Sequence, residues 1–130
     1  MEMDRKKIMI VDDDHEFLDE LNDLLEASGY EVVEVTDNSK VVATAAAEKP
    51  AIIVIDLKMS PKTGFQLSEE IRKTPPIEDT PIIAMSAYFT REEDRLLRQI
   101  CGINTQVNKP FNPLDIIAAI ERELDGEKEG

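Results

Sequence analysis

Ile52-Ile53-Val54-Ile55-Asp56 decides the fold of this chain. Four branched aliphatic residues follow one another with no polar residue among them, and one carboxylate ends the run. A strand with one face in water alternates apolar and polar side chains, so a run without alternation is buried on both faces. Pro50, two residues upstream, ends the segment before it. Working outward, Ile8-Met9-Ile10-Val11 has the same character and stops at Asp12-Asp13-Asp14, and Ile82-Ile83-Ala84-Met85 has it again and stops at Ser86. Val32, Val33 and Val35 form a weaker strand interrupted by acidic residues, and residues 105–108 form a short one before Lys109.

Between these runs the apolar residues recur at helical spacing. Phe17, Leu18, Leu21, Leu24 and Leu25 make the first helix, capped by Asp14 and stopped by Gly29. Asn38 is the expected cap of a second helix with Val41, Val42, Ala45 and Ala46 on its apolar face. Residues 64–73 bury Phe65, Leu67 and Ile71, and Pro75-Pro76 stop them. Residues 91–101 are a charged helix buried through Leu96, Leu97 and Ile100. Asn112 caps the last helix, with Pro113 at its first position, Asp115 three residues after the cap, and Leu114, Ile117, Ala118, Ile120 and Leu124 inward. Five strands alternating with five helices predict an α/β fold: a doubly wound parallel sheet with helices on both faces.

Composition narrows the function. A chain of 130 residues near the modal domain size is one domain, here residues 1–124, with 125–130 as a solvated tail or the start of a linker. Lys and Arg number 15 against 28 Asp and Glu, a net charge of −13, which argues against direct nucleic-acid binding. No apolar run approaches the ~20 residues of a membrane span. The start, Met1-Glu2-Met3-Asp4-Arg5-Lys6-Lys7, lacks a signal-peptide pattern, and a lone Cys101 suits a reducing compartment. The expected location is cytoplasmic.

A parallel sheet of this kind binds ligands at the carboxyl ends of its strands, where the strand order switches. The strand ends carry Asp12, Asp13 and Asp14, then Asp56, then Ser86, then Lys109; the second strand ends silently on Thr36 and Asp37. Carboxylates gathered there require a proton or a cation among them. Oxygen ligands suit a hard divalent ion such as Mg²⁺. Lys109 and Ser86 add a positive charge and a hydroxyl, so metal, lysine and hydroxyl together can grip a phosphoryl group. A carboxylate can itself be the nucleophile and form an acyl phosphate; Asp56, alone at the end of the central strand, is the natural choice.

These residues resemble a family. Val11-Asp12-Asp13, Asp56 followed by Leu57-Lys58-Met59 and Gly64, Ser86-Ala87, and Lys109-Pro110-Phe111 are similar to the motifs of response regulator receiver domains of two-component systems, in order and in spacing. The resemblance implies a flavodoxin-like sheet of strand order 2-1-3-4-5 and an Asp56 that accepts a phosphoryl group from a histidine kinase or phosphotransfer protein. It implies Mg²⁺ (or Mn²⁺) held by Asp13, Asp56 and the backbone carbonyl of Lys58, with Asp12 acting through water. Ser86 and Lys109 would contact the phosphoryl oxygens, and Lys58 and Tyr88 would border them. It further implies output through the surface of the fourth helix, fifth strand and fifth helix, where Arg91, Arg95, Gln106 and Asn108 lie, toward a downstream protein or an effector domain outside this chain. Such a chain is a signalling phospho-acceptor, an enzyme only toward its own phosphorylation and dephosphorylation. A cis Lys109–Pro110 bond is expected, since the lysine must turn back sharply and X–Pro is the junction where cis costs only ~0.5–1 kcal/mol.

Two departures accompany the match. Ser60 stands where many receivers have proline, with Pro61 one residue later, and Gln106 stands where an aromatic ring is common. Among rivals, a phosphohydrolase with an aspartyl phosphate needs a second acid two residues after the nucleophile, and Lys58 is there instead. An FMN carrier needs a Ser/Thr/Gly phosphate loop after strand one, where three aspartates would repel the phosphate. The standing alternative is a receiver-shaped interaction module that is not phosphorylated. His15 reads as an exposed first-turn residue and Cys101 as a small buried hydrophobe.

Overall fold

Apolar strands without alternation must be covered on both sides, and they are. The computed structural model describes residues 5–58, 62–86, 99, 101–108 and 112–129. The strands β1 (Lys7–Val11), β2 (Glu31–Val35), β3 (Ile52–Asp56), β4 (Ile82–Ser86) and β5 (Thr105–Asn108) form a parallel sheet in the order β2-β1-β3-β4-β5. Every residue of β3 is buried. The helices among the described residues are α1 (His15–Ala27), α2 (Val41–Glu48), α3 (Gly64–Arg72) and α4 (Pro113–Glu129). The helix expected over residues 91–101 lies outside the described residues, apart from a helical Gln99 and the buried Cys101.

The strands' side chains divide by parity between two cores. Met9, Val11, Ile53, Ile55, Ile82 and Ala84 pack with Val41 and Ala45 of α2 and Leu67 and Ile71 of α3. Ile8, Ile10, Ile52, Val54, Ile83 and Met85 pack with Leu18, Leu21 and Leu25 of α1 and with α4. A period of two sends neighbouring residues to opposite faces, so one continuous apolar run serves both layers. From β1 the chain moves out to β2, then back across β1 to β3. The order therefore switches between β1 and β3, and their carboxyl ends meet at the site.

Caps fix the helix starts. The Asp14 carboxylate accepts from the Phe17 amide (3.1 Å) and the Asn112 side chain from the Leu114 amide (2.9 Å), as the sequence predicts. Three expectations need correction. Asn38 is not the cap: Asp37, one residue earlier, accepts from the Ser39 amide (2.9 Å) and starts a 3₁₀ turn, Asn38–Lys40, that runs into α2. Asn38 itself is buried. On α4, Leu114 is 64% exposed and Ala118 is exposed, while Ile116, Ala119, Ile120 and Leu124 are buried, because the helix is turned one position from the expected stripe. And α4 continues to Glu129, through residues assigned from sequence to the tail.

Arg72, at the end of α3, holds distant segments together. Its guanidinium donates to the carbonyls of Gly102 (2.6 and 3.1 Å), Thr80 (2.7 Å) and Glu78 (2.9 Å), and to Asn104 Oδ1 (3.0 Å). Five donors in a rigid fork suit one arginine to so many acceptors. Among the described residues no helix is long and apolar enough to cross a membrane.

Candidate functional site

β1 and β3 run side by side with Val11 opposite Ile55, so the residues that follow, Asp12 and Asp56, emerge together at the switch point. Asp12 is 1% exposed and Asp56 7%, while Asp13 faces solvent at the mouth. Carboxylate oxygens of Asp12, Asp13 and Asp56 all lie within 4.8 Å of one another. At that separation two charges repel by roughly 3 kcal/mol at an effective dielectric of about 20. The all-oxygen donor set is of the kind that could hold a hard divalent ion.

Backbone geometry fixes the two buried acids. Asp12 donates its amide to the Val35 carbonyl (3.3 Å) and accepts from the Asp14 amide on Oδ1 (3.0 Å). Asp56 accepts from the Lys58 amide on Oδ1 (3.1 Å), and the Leu57 amide, next in the chain, donates to the Met85 carbonyl (2.9 Å). Local bonds of this kind help to orient the two carboxylates.

The chain then returns to the site at Gly64, the first residue of α3. The Gly64 amide donates to the Leu57 carbonyl (3.1 Å), and the helix start lies directly against the backbone of Asp56. Thr63 and Gln66 form a capping box there, each side chain bonding the other's amide (3.2 and 2.9 Å). The Asn38 amide reaches over from the start of α2 and donates to the Lys62 carbonyl (2.7 Å), and the Lys62 ammonium pairs with Glu70 (2.9 Å).

Of the residues expected at the site, the structure brings together Asp12, Asp13 and Asp56, with Lys58 following and its side chain exposed. Ser86 ends β4, one residue beyond the Met85 that pairs with Asp56 in register. Gln106 sits on β5 opposite Ala84, and Asn108 opposite Ser86. Tyr88, Lys109 and Pro110, with the expected cis bond, lie outside the described residues, as do Ser60, Pro61, Arg91 and Arg95. His15 is exposed, 3.8 Å from Asp19, as its first-turn position predicts; with Glu34 these two make a second, solvent-facing group of donor atoms. Glu34 also accepts a hydrogen bond from the Asn22 amide. Cys101 is 4% exposed, and burial pushes its thiol up from the ordinary value.

Sequence reasoning missed the bond from Asn38 to Lys62 and the Thr63–Gln66 box, and named Gly64 only within the motif. Only the box carried a signal, Thr-x-x-Gln before an apolar run.

A parallel α/β sheet with an acidic triad at its switch point matches a family of signalling domains. Residues 8–121 match the family model of the response regulator receiver domain, and the chain belongs to that family. It is 36% identical over 116 residues to an uncharacterized 14.6 kDa protein of Leptolyngbya boryana, covering 88% of this chain and 87% of that one. It is 30% identical to the regulatory protein VanRc of Enterococcus gallinarum over 119 residues, 92% of this chain but only 50% of that regulator. A CheY-like response regulator receiver domain protein of Methanospirillum hungatei superposes with a TM-score of 0.88 at 31% identity, over 98% of this chain and 100% of the other. The chemotaxis response regulator CheY4 of Vibrio cholerae gives 0.86 at 26% identity, over 92% and 99%.

Proposed function

We propose that this receiver accepts a phosphoryl group on Asp56 and passes the signal on by its change of state. The carrying observation is the meeting of Asp12, Asp13 and Asp56 within 4.8 Å at the end of the sheet. An oxygen of the Asp56 carboxylate attacks phosphorus, the donor's bond to phosphorus breaks, and an aspartyl phosphate forms. The Lys58 amide on Oδ1 holds the carboxylate in one orientation for that attack. Asp13, Asp56 and the Lys58 carbonyl would hold Mg²⁺ (or Mn²⁺), with Asp12 holding a metal-bound water. When bound, the ion neutralises charge on the transferring group. Ser86 and Lys109 are assigned to the phosphoryl oxygens, and Lys58 and Tyr88 to its border.

The donor is a histidine kinase or phosphotransfer protein, the class that serves regulators such as those the chain resembles. Output runs through the surface of the helix expected over residues 91–101, β5 and the last helix to a downstream protein or an effector domain. The proposed setting is the cytoplasm.

Replacing Asp56 with Asn keeps the shape and removes the nucleophilic charge. Asp56→Asn should take up no label from acetyl phosphate where the parent does. Equal uptake would refute the assignment. No uptake by the parent would leave a receiver-shaped interaction module.

A further inference from the structure

Asn38 is 4% exposed, and a buried amide is costly unless it is hydrogen-bonded. Its own helix does not use it, because Asp37 already caps that turn through the Ser39 amide. Its donor is instead directed across the molecule to the Lys62 carbonyl, 24 residues away in sequence, at 2.7 Å. Lys62 immediately precedes Thr63, the cap of α3, and Gly64 closes back on Leu57. The start of α3 is thus tied to Leu57 by the Gly64 amide and held from the side, at Lys62, by Asn38. An apolar side chain could fill the same space without the cost of burying an amide. What the amide adds is direction: it sets where Lys62 and the start of α3 lie, and the Gly64–Leu57 bond couples that start to Leu57 and to Lys58, whose amide bonds Asp56.

We infer that Asn38 is a positioning residue for the phosphoryl site, holding Lys62 and the start of α3 so that, through the Gly64–Leu57 bond, Lys58 stays in register with the carboxylates. The inference rests on the reading of Asp56 as phospho-acceptor with a divalent ion beside it. It assigns the β2–α2 connection, which carries no group that touches the reacting atoms, a part in metal affinity.

The test uses the ¹⁵N-labelled full chain and compares Asn38→Ala with Asp37→Ala, which costs the same turn its cap but leaves the Lys62 bond intact. Mg²⁺ is titrated into each, and hydrogen exchange is read at the Lys58 and Gly64 amides against those of β1. Asn38→Ala should weaken Mg²⁺ about tenfold, the lower end for outer supports of metal sites, and speed exchange at Lys58 and Gly64. Asp37→Ala should do neither. If both variants weaken Mg²⁺ alike, Asn38 is only a piece of the turn; if Asn38→Ala changes neither readout, the clasp has no role, and either result overturns the inference. Asn38→Asp, isosteric and without the donor, serves if the alanine variant fails to fold. A parent that binds no Mg²⁺ and takes up no label would sink the phospho-acceptor reading itself, and exchange at Lys58 and Gly64 would then decide the clasp alone.

Discussion

Gly64→Ala puts the closeness of α3 to Asp56 to the test. A Cβ at Gly64 would lie 2.6 Å from the Asp56 carbonyl oxygen, 2.8 Å from Leu57 Cα and 3.1 Å from the Asp56 carbonyl carbon. All three are backbone atoms, so no side chain can rotate away to make room. Forcing a methyl into a packed site costs about 1–3 kcal/mol. Alanine's better helix propensity returns at most about 1 kcal/mol, and less at the first position of a helix. The net loss is about 1–2 kcal/mol, a fall in Tm of roughly 4–8 °C at about 4 °C per kcal/mol for a domain of this size. Because the displaced atoms belong to Asp56 itself, label uptake from acetyl phosphate should slow by more than the stability loss explains. Thermal melts and uptake at a temperature well below both midpoints separate the two effects. If the glycine were there only for flexibility, alanine would stabilise by about 0.4–1 kcal/mol. A rise in Tm would therefore refute the close-packing argument.

Mg²⁺ should raise the Tm of the parent, since an ion held by the folded cluster stabilises it by mass action, and Asp13→Ala should remove most of that gain in the same melts. Burial, and then the nearby Glu121 and Asp125, hold the Tyr30 phenol above its ordinary value of 10.0. A phenol with a raised folded pKa adds stability below its unfolded pKa and loses it as pH climbs through the folded one. Denaturant midpoints should therefore fall as pH passes above about 10, and Tyr30→Phe should flatten that fall. Arg72→Ala strips the donors from four acceptors at once and should cost about 2–3 kcal/mol in chemical denaturation; Arg72→Lys, a point charge without the fork, should recover little of it.

Much of the fold could be read from the sequence because double burial leaves a plain mark. Ile52-Ile53-Val54-Ile55 has no polar residue to spare for solvent, and the parallel sheet followed from it. The site was legible for a related reason: carboxylates at the ends of apolar strands have no part in a core, so Asp12, Asp13 and Asp56 stood out. What was not legible depends on rotation and distance. A stripe of apolar residues on α4 admits two neighbouring settings, and packing chose Ile116 and Ala119 over Leu114 and Ala118. Asn38 and Asp37 are both good caps, and only the fold shows that Asp37 takes the role while Asn38 faces Lys62. Neither the Asn38–Lys62 bond, between residues 24 apart, nor the near-touch of Gly64 and Asp56 leaves a local pattern to read.

Arg72 has a consequence for how the chain could be divided. Its guanidinium ends the segment up to Arg72, while Gly102 and Asn104, two of its partners, lie some thirty residues further on. The segment up to Arg72 supplies three strands and both helices of one core, yet the buried faces of β3 wait for β4 and α4 from the remainder. Two fragments meeting between Arg72 and Gly102 would thus share a hydrogen-bonded peg as well as an apolar seam. Their association would be specific in orientation, because a fork aimed at fixed carbonyls accepts one register only. That makes the span between them the place to look for fragment complementation, with the peg as the element that keeps a reassembled sheet from pairing out of order.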